Sequence, residues 1–333
     1  MASGTVTADG PAAGFARPFR LGRDLGEVVR LIDHAFGPTS ADERLTGRDV
    51  VLLRLFAPLV GVLGLVAPSA RDLFAGVVWE TRGRIVGNVT IGRLAGDQTR
   101  WMIGNVAVDP AFRRQGIARA LTIAALAEIG RRGGKVTILD VRSDNEPAYA
   151  LYRDLGFRRI DSIAEFRRRP SRERRVLPPG VRLLRAREWR AFWLLQCAAT
   201  PAEVQAAAPI QEQQAIAAAV GAGIGIAGRA ITGHQSTILV TEAAGNLTSA
   251  VEIELHGGET PHRVKLTILP QARGTVERLL VSAALAQAVR PVAPIRAEVR
   301  ASETAAIAAL GEAGFVPYRI LDRLALGMID DAE

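Results

Sequence analysis

Cysteine is almost absent from this 333-residue chain: Cys197 stands alone, inside the apolar string FWLLQCAA. A single thiol excludes any intrachain disulfide, so the fold must rest on its core, and a reducing cytoplasm is the expected compartment. A small buried residue outweighs a nucleophile as the reading of Cys197. Lysine is nearly as scarce. Lys135 and Lys265 are the only two, so the net charge of +8 is carried by arginine. That excess permits acidic partners such as nucleotide phosphates without demanding them. The four histidines, His34, His234, His256 and His262, lack metal-ligand spacing, and no metal site is expected. The start, MASGTVTADGPAAGFA, has no charged-then-apolar targeting pattern, and disorder is expected over residues 1–16. Long apolar runs are also missing, with one exception. Val50–Pro68 barely reaches the length of a bilayer span and is interrupted by Arg54 and Pro58. It reads as helix packed on a core, a subunit contact or an apolar substrate wall before a transmembrane helix.

The 48% apolar and 23% charged composition is that of a globular protein, with length for about two domains. In the first half strands and helices alternate. ARPFRLG suggests a first strand, and the helix DLGEVVRLIDHAF follows with Leu25, Val28, Val29 and Ile32 at helical spacing. A hairpin turns at Gly83, and WMIGNVAV is the next strand. A helix over 116–132 carries Ile117, Leu121, Ala125 and Ile129 on one face and ends at Gly133–Gly134. The strand KVTILDV and the short helix of NEPAYALYRDLGF complete the half. RRRPSRERRVLPPG, Arg167–Gly180, reads as a solvated linker; its arginines lack the interleaved aromatics of a nucleic-acid surface. The chain then repeats itself. ALTIAALA (120–127) lies over LLVSAALA (279–286), and VRSDNEPAYALYRDLGF (141–157) over VRASETAAIAALGEAGF (299–315) without a gap. The expected division is a tail over 1–16, a domain over 17–168, a basic linker over 169–180 and a second copy over 181–333.

Chemistry concentrates in VAVDPAFRRQGIARAL, Val106–Leu121. A helix's first turn leaves backbone N–H groups unpaired, and its dipole favours an anion there. Gly116 permits close approach, Ala118 keeps the next side chain small, and Arg113 and Arg114 supply forked donors for phosphate. The arrangement is a candidate pyrophosphate cradle, and a plain basic loop capping a helix reads similarly. No Gly-Lys-Ser/Thr follows, which excludes a Walker loop. GIGIAG (223–228) formally fits a dinucleotide motif but neither follows a clear strand nor opens a convincing helix.

Arg113-x-x-Gly116-x-Ala118, followed by NEPAYALYRDLGF, resembles the GNAT superfamily of N-acetyltransferases over about residues 16–168. For the second half only the outline is similar. The resemblance implies an α/β fold of two tandem GNAT-like domains, each a mixed, mostly antiparallel central sheet flanked by helices, with acetyl-CoA as cofactor. Carried over by position, the strand Val106, Ala107 and Val108 would pair with the pantetheine arm. The loop Arg113, Arg114, Gln115, Gly116, Ile117, Ala118 and Arg119 would hold the pyrophosphate. Asn145 and Ala148 would meet the cofactor arm, and Tyr152 would protonate the departing thiolate. Asn145 can equally be a helix cap, and Tyr152 a core aromatic on the face of Ala148, Leu151 and Leu155. Trp79, Asn88, Trp101 and Asn105 are expected on the acceptor side, and Glu80 at the surface. WMIGNVAV offers no carboxylate as general base. In the second copy Thr275, Glu303 and Leu310 replace Gly116, Asn145 and Tyr152, so a single cofactor site is expected. The implied activity is acetyl transfer to a primary amine, on a small molecule or a protein, by direct attack. A non-catalytic acyl-CoA-binding protein is the alternative.

Overall fold

The computed structural model describes residues 7–8, 14–36, 75–94, 96–171, 175–232, 234–257, 260–287 and 293–327. The run Val50–Pro68 lies outside them, as does Arg172–Arg174 of the basic stretch. Among the described residues no helix is long and apolar enough to cross a membrane. The chain forms two compact units, the first reaching to Asp140 and taking in the segment from Ala325, the second covering Val141–Leu324.

In unit 1, β1 (Thr7–Ala8), β2 (Gly14–Pro18), β3 (Ala75–Thr81), β4 (Arg84–Arg93), β5 (Arg100–Val108) and β6 (Val136–Arg142) lie side by side in sequence order. All neighbours are antiparallel except β5 and β6, which are parallel and joined through helix α2 (Ile117–Arg131). The β1–β2 ladder, with Thr7 opposite Phe15, carries regular structure into the tail expected to be disordered. Arg82 and Gly83 both take positive φ, 50° and 76°, as a two-residue hairpin turn demands. Helix α1 (Leu21–Phe36) buries Leu25, Val28 and Leu31, and its apolar stripe packs with Val78, Ile85 and Ala107 of the sheet. Arg17 ties it down, donating to Asp24 at 2.7 and 2.9 Å and to Glu80 at 2.6 Å. Glu80, expected at the surface, is therefore largely buried in an ion-pair network. Burial alone would raise the Asp24 carboxyl; the Arg17 guanidinium and the Arg20 amide outweigh it and hold it below the usual carboxylate range.

Unit 2 contains helix α3 (Glu146–Asp154), β7 (Arg158–Arg168), β8 (Arg182–Leu183), α4 (Trp189–Ala199), α5 (Ala202–Ala207), α6 (Glu212–Thr232), β9 (His234–Ala243) and β10 (Asn246–His256). It continues with β11 (His262–Ile268), α7 (Glu277–Gln287), β12 (Ile295–Arg300), α8 (Thr304–Glu312) and β13 (Val316–Gly327). Its strand order is β13-β7-β12-β11-β10-β9-β8, with β11 and β12 the parallel pair. The core joins Val264, Leu266 and Ile268 of β11 to Leu280, Val281 and Ala284 of α7 and to Leu310 and Phe315 after α8. Each unit is thus a mixed, mostly antiparallel sheet flanked by helices, built around one parallel pair bridged by a helix. The basic stretch begins inside the sheet: Arg167 lies over the Tyr318 ring and Arg168 donates to the Ala313 carbonyl at 2.8 Å. GIGIAG sits within α6, so it forms no phosphate loop.

Candidate functional site

Strand β5 parts from β6 halfway along its length. Parallel pairing runs from Arg100 opposite Val136 to Ile103 opposite Leu139 and stops. At that point β5 bulges. Asn88 faces Ala107 and Thr90 faces Gly104, leaving two residues of β5 against one of β4. Asn105 occupies the bulge with φ of 49°, and the buried Asn88 amide fixes it by donating to the Asn105 carbonyl at 3.0 Å. Beyond the bulge Ala107 and Val108 stay paired with Asn88 and Gly87 of β4, while the pairing with β6 has ended.

The loop that follows is stabilised from within. Asp109 accepts from the Ala111 amide at 3.0 Å and starts a 3-10 turn, Pro110–Phe112. Arg113 donates to the carbonyls of Val108 at 3.3 Å and Ala35 at 3.0 Å, so its partners are backbone rather than a carboxylate. Arg114 and Gly116 take positive φ, 62° and 77°, and turn the chain into α2. Gly116 caps α2 without a side chain, and a Cβ there would meet nothing within 4 Å. Among the described residues no acceptor meets the amides of Arg114, Gln115, Gly116, Ile117 or Ala118. Five amides without a partner among the described residues therefore lie together at a helix N-terminus, where an anion is favoured. The helix behind them is anchored as its spacing predicts: Ile117, Leu121, Ala125 and Ile129 are all buried. Gly87 makes that possible, since a Cβ on it would stand 2.8 Å from Leu121 and 3.0 Å from Ile117.

Unit 2 repeats the loop outline with its donors already used. Pro270–Ala272 forms the same 3-10 turn, Arg273 follows, and Gly274 takes φ of 84°. Here the buried Glu277 carboxylate accepts from the Gly274 amide at 2.7 Å and the Val276 amide at 3.1 Å. Thr275 turns back to the Ala272 carbonyl. In the repeat alignment Glu277 stands where the first copy has Ala118. No bulge interrupts the β10–β11 ladder, which runs unbroken from Ser249 opposite Ile268 to Glu254 opposite Arg263. Glu303, the counterpart of Asn145, is buried beside Arg273 and Arg300, at 3.3 and 3.7 Å. Its carboxyl is raised, burial outweighing those two guanidinium groups. Glu277 was the signal missed in the sequence: an acid in the first turn of a helix whose twin has alanine.

Asn145, Ala148 and Tyr152 belong to unit 2. Asn145 caps α3, its Oδ1 accepting from the Ala148 amide at 3.3 Å. Tyr152 is 6% exposed and sits edge-on to Phe157, with ring centroids 5.9 Å apart. Burial pushes its phenol up to about 12, so it stays protonated at neutral pH. Of the residues expected on the acceptor side, only Asn105 is exposed. Trp79, Asn88 and Trp101 are buried, Trp101 between the Arg93 and Arg132 guanidinium groups at 5.2 and 5.7 Å.

Residues 65–157 match the model of the Acetyltransferase (GNAT) family. Over 96 residues the chain is 36% identical to a mycothiol acetyltransferase of Amycolatopsis mediterranei, covering 27% of this chain and 32% of that protein. Over 53 residues it is 47% identical to a [ribosomal protein bS18]-alanine N-acetyltransferase of Escherichia coli, covering 16% and 36%. The chain spans less than half the length of these curated relatives. Among solved structures, a tandem GNAT protein from the clavulanic acid biosynthesis pathway superposes with a TM-score of 0.59 at 17% identity, covering 96% of this chain and 99% of that one. Segment 65–157 thus matches the GNAT acetyltransferase family, within a chain that shares the fold of a tandem GNAT protein.

Proposed function

We propose that the protein is an N-acetyltransferase that moves the acetyl group of acetyl-CoA to a primary amine by direct attack in a ternary complex. The observation that carries this reading is the set of unpaired amides from Arg114 to Ala118 at the N-terminus of α2. They suit a pyrophosphate, with Arg113, Arg114 and Arg119 adding positive charge. Val106, Ala107 and Val108, freed from β6 by the bulge, offer a strand edge to the pantetheine amides. Asn145 and Ala148 keep their assignment to the cofactor arm on family resemblance, and Tyr152 its assignment as acid. A phenol held neutral up to about 12 retains the proton that a departing thiolate needs. Asn105 is assigned to the acceptor side, with Trp79, Asn88 and Trp101 as the packing that fixes its strand. The filled cradle in unit 2 supports one cofactor site per chain.

The relatives' names mention mycothiol in one case and an alanine of ribosomal protein bS18 in the other, so small-molecule and protein amines both belong in the test. Calorimetry should show acetyl-CoA binding at one site per chain. A panel of small amines and peptide N-termini should then release free CoA. No binding, or two equivalent sites, overturns the cofactor assignment. A second reading, acyl-CoA binding without transfer, is favoured by the lack of any carboxylate along β5, RWMIGNVAV. Binding without CoA release across the panel would select it.

A further inference from the structure

Unit 2 holds a cavity of about 280 Å³ where β11 and β12 diverge. Their parallel pairing ends at Lys265 opposite Glu298, and the cavity opens beyond, under α4 and α5. It is near the lower end of small-ligand pockets. Ile163, Val204 and Ile210 line one part of it with hydrocarbon.

Its polar wall mixes the acids Asp161, Glu298 and Glu303 with the cations Lys265, Arg300 and Arg323. Glu298 makes no hydrogen bond or ion pair with any described residue, although it lines the cavity. Glu165, directly opposite it on β7, is taken by Arg319 at 2.8 and 3.1 Å. Thr267, only 8% exposed, also lines the cavity with its hydroxyl unpartnered among the described residues. Gln196 donates its amide nitrogen to Glu252 at 3.3 Å, leaving its oxygen available to the cavity. The cations on the wall each have an acid or acceptor nearby. Arg300 holds Asp161, the Ala199 carbonyl and Thr200. Arg323 has partners of its own, and Lys265, more than half exposed, lies 3.7 Å from Glu252 and opposite Glu298 in register. A phosphate-bearing ligand finds no cradle beside the cavity, because Glu277 already fills it.

We propose that this cavity binds a short aliphatic primary amine, its ammonium received by Glu298 with Thr267 and Gln196 as further acceptors, and its chain against Ile163, Val204 and Ile210. Burial, followed by the neighbouring Glu165, raises the Glu298 carboxyl against the opposing pull of Arg263, Lys265 and Arg296, and an ammonium would relieve both effects. A carboxylate that lines a cavity and receives no hydrogen bond from any described residue has room for a cation with several donors, which an ammonium supplies. The site lies wholly within unit 2 and requires nothing of the acetyl-CoA assignment.

The test is a ligand-observed NMR titration of the full chain with n-butylamine, 1-butanol and butyrate. The amine should bind saturably, and the alcohol and the acid at least about tenfold more weakly. Glu298→Gln, which keeps the side chain's shape, should weaken the amine about tenfold, and Thr267→Val should weaken it severalfold. Thermal unfolding confirms that each variant is folded, and either variant alone suffices to decide. Acetyl-CoA binding should be unchanged in both, so failure here and failure of the cofactor assignment are separable. Butyrate binding above the amine, no amine binding, or wild-type amine affinity in a folded variant overturns the proposal.

Discussion

Replacing Glu277 by alanine removes one carboxylate and frees two amides at once. The bonds from Gly274 and Val276, at 2.7 and 3.1 Å, are charge-assisted. Such bonds contribute about 1.5–3 kcal/mol each. Gly274 is exposed and Val276 partly so, and water can reach the released donors and recover much of that. The net cost should be about 2 kcal/mol, which in a unit of this size lowers its unfolding midpoint by about 4–8 °C. The same change rebuilds an anion site. Inorganic pyrophosphate should therefore stabilise Glu277→Ala more than it stabilises the wild type, with linkage worth about 2.7 kcal/mol at a hundredfold excess over its dissociation constant. Differential scanning calorimetry reads the first effect, and titration calorimetry reads the second as an added pyrophosphate site. A midpoint within about a degree of wild type would show that the carboxylate does not hold the loop. An unchanged number of sites would show that filling by Glu277 is not what closes this copy.

Gly116→Ala should weaken acetyl-CoA about tenfold by calorimetry, because left-handed backbone costs a residue with a Cβ about 1–2 kcal/mol and nothing crowds the methyl. Gly87→Ala, which drives a Cβ to 2.8 Å from Leu121, should instead lower stability by about 1–3 kcal/mol and leave cofactor stoichiometry unchanged. Tyr152→Phe should reduce turnover in a CoA-release assay more than it reduces acetyl-CoA affinity. It should also flatten the alkaline limb of stability: the unfolded phenol ionises near 10 and the folded one near 12, so wild-type stability falls as pH rises through that window. Asp24→Asn should cost about 2 kcal/mol in urea unfolding by taking from Arg17 one of its two carboxylate partners, Glu80 remaining. Its wild-type contribution is present above about pH 4 and is lost as pH falls through the depressed Asp24 value.

Elements with one strong period were legible in the residues alone. The face Ile117, Leu121, Ala125 and Ile129 was readable because a helix repeats every 3.6 residues and all four positions are buried. Gly83 and Asn145 were readable because turns and caps demand particular side chains. The bulge at Asn105 was not, because register depends on what β4 places opposite, and no local rule marks it. Trp79 and Trp101 illustrate a different limit. Aromatics alternating along a strand look alike whether their face meets solvent, a ligand or a helix, and here both are buried. Glu80 followed the same course: a charged residue near a hairpin turn reads as exposed until Arg17 is found across the sheet, 2.6 Å away.

The two loops differ in electrostatics more than in path. Both leave a strand through a 3-10 turn, pass an arginine, reverse at a left-handed residue and enter a helix. In the first, the donors from Arg114 to Ala118 have no partner among the described residues, a state that costs stability unless water or an anion meets them. In the second, an acid grafted onto the first turn satisfies two such donors from inside the chain. In unit 2 the chain's own carboxylate takes the place proposed for a ligand anion in the first loop, so the same outline serves as a brace. The intact β10–β11 ladder fits that role, since a strand with no cofactor to receive has no need to bulge away from its neighbour. Removing the brace alone should therefore restore anion binding in unit 2 but not an acetyl-CoA site, because the strand beside it would still lack the bulge that frees an edge for the pantetheine arm.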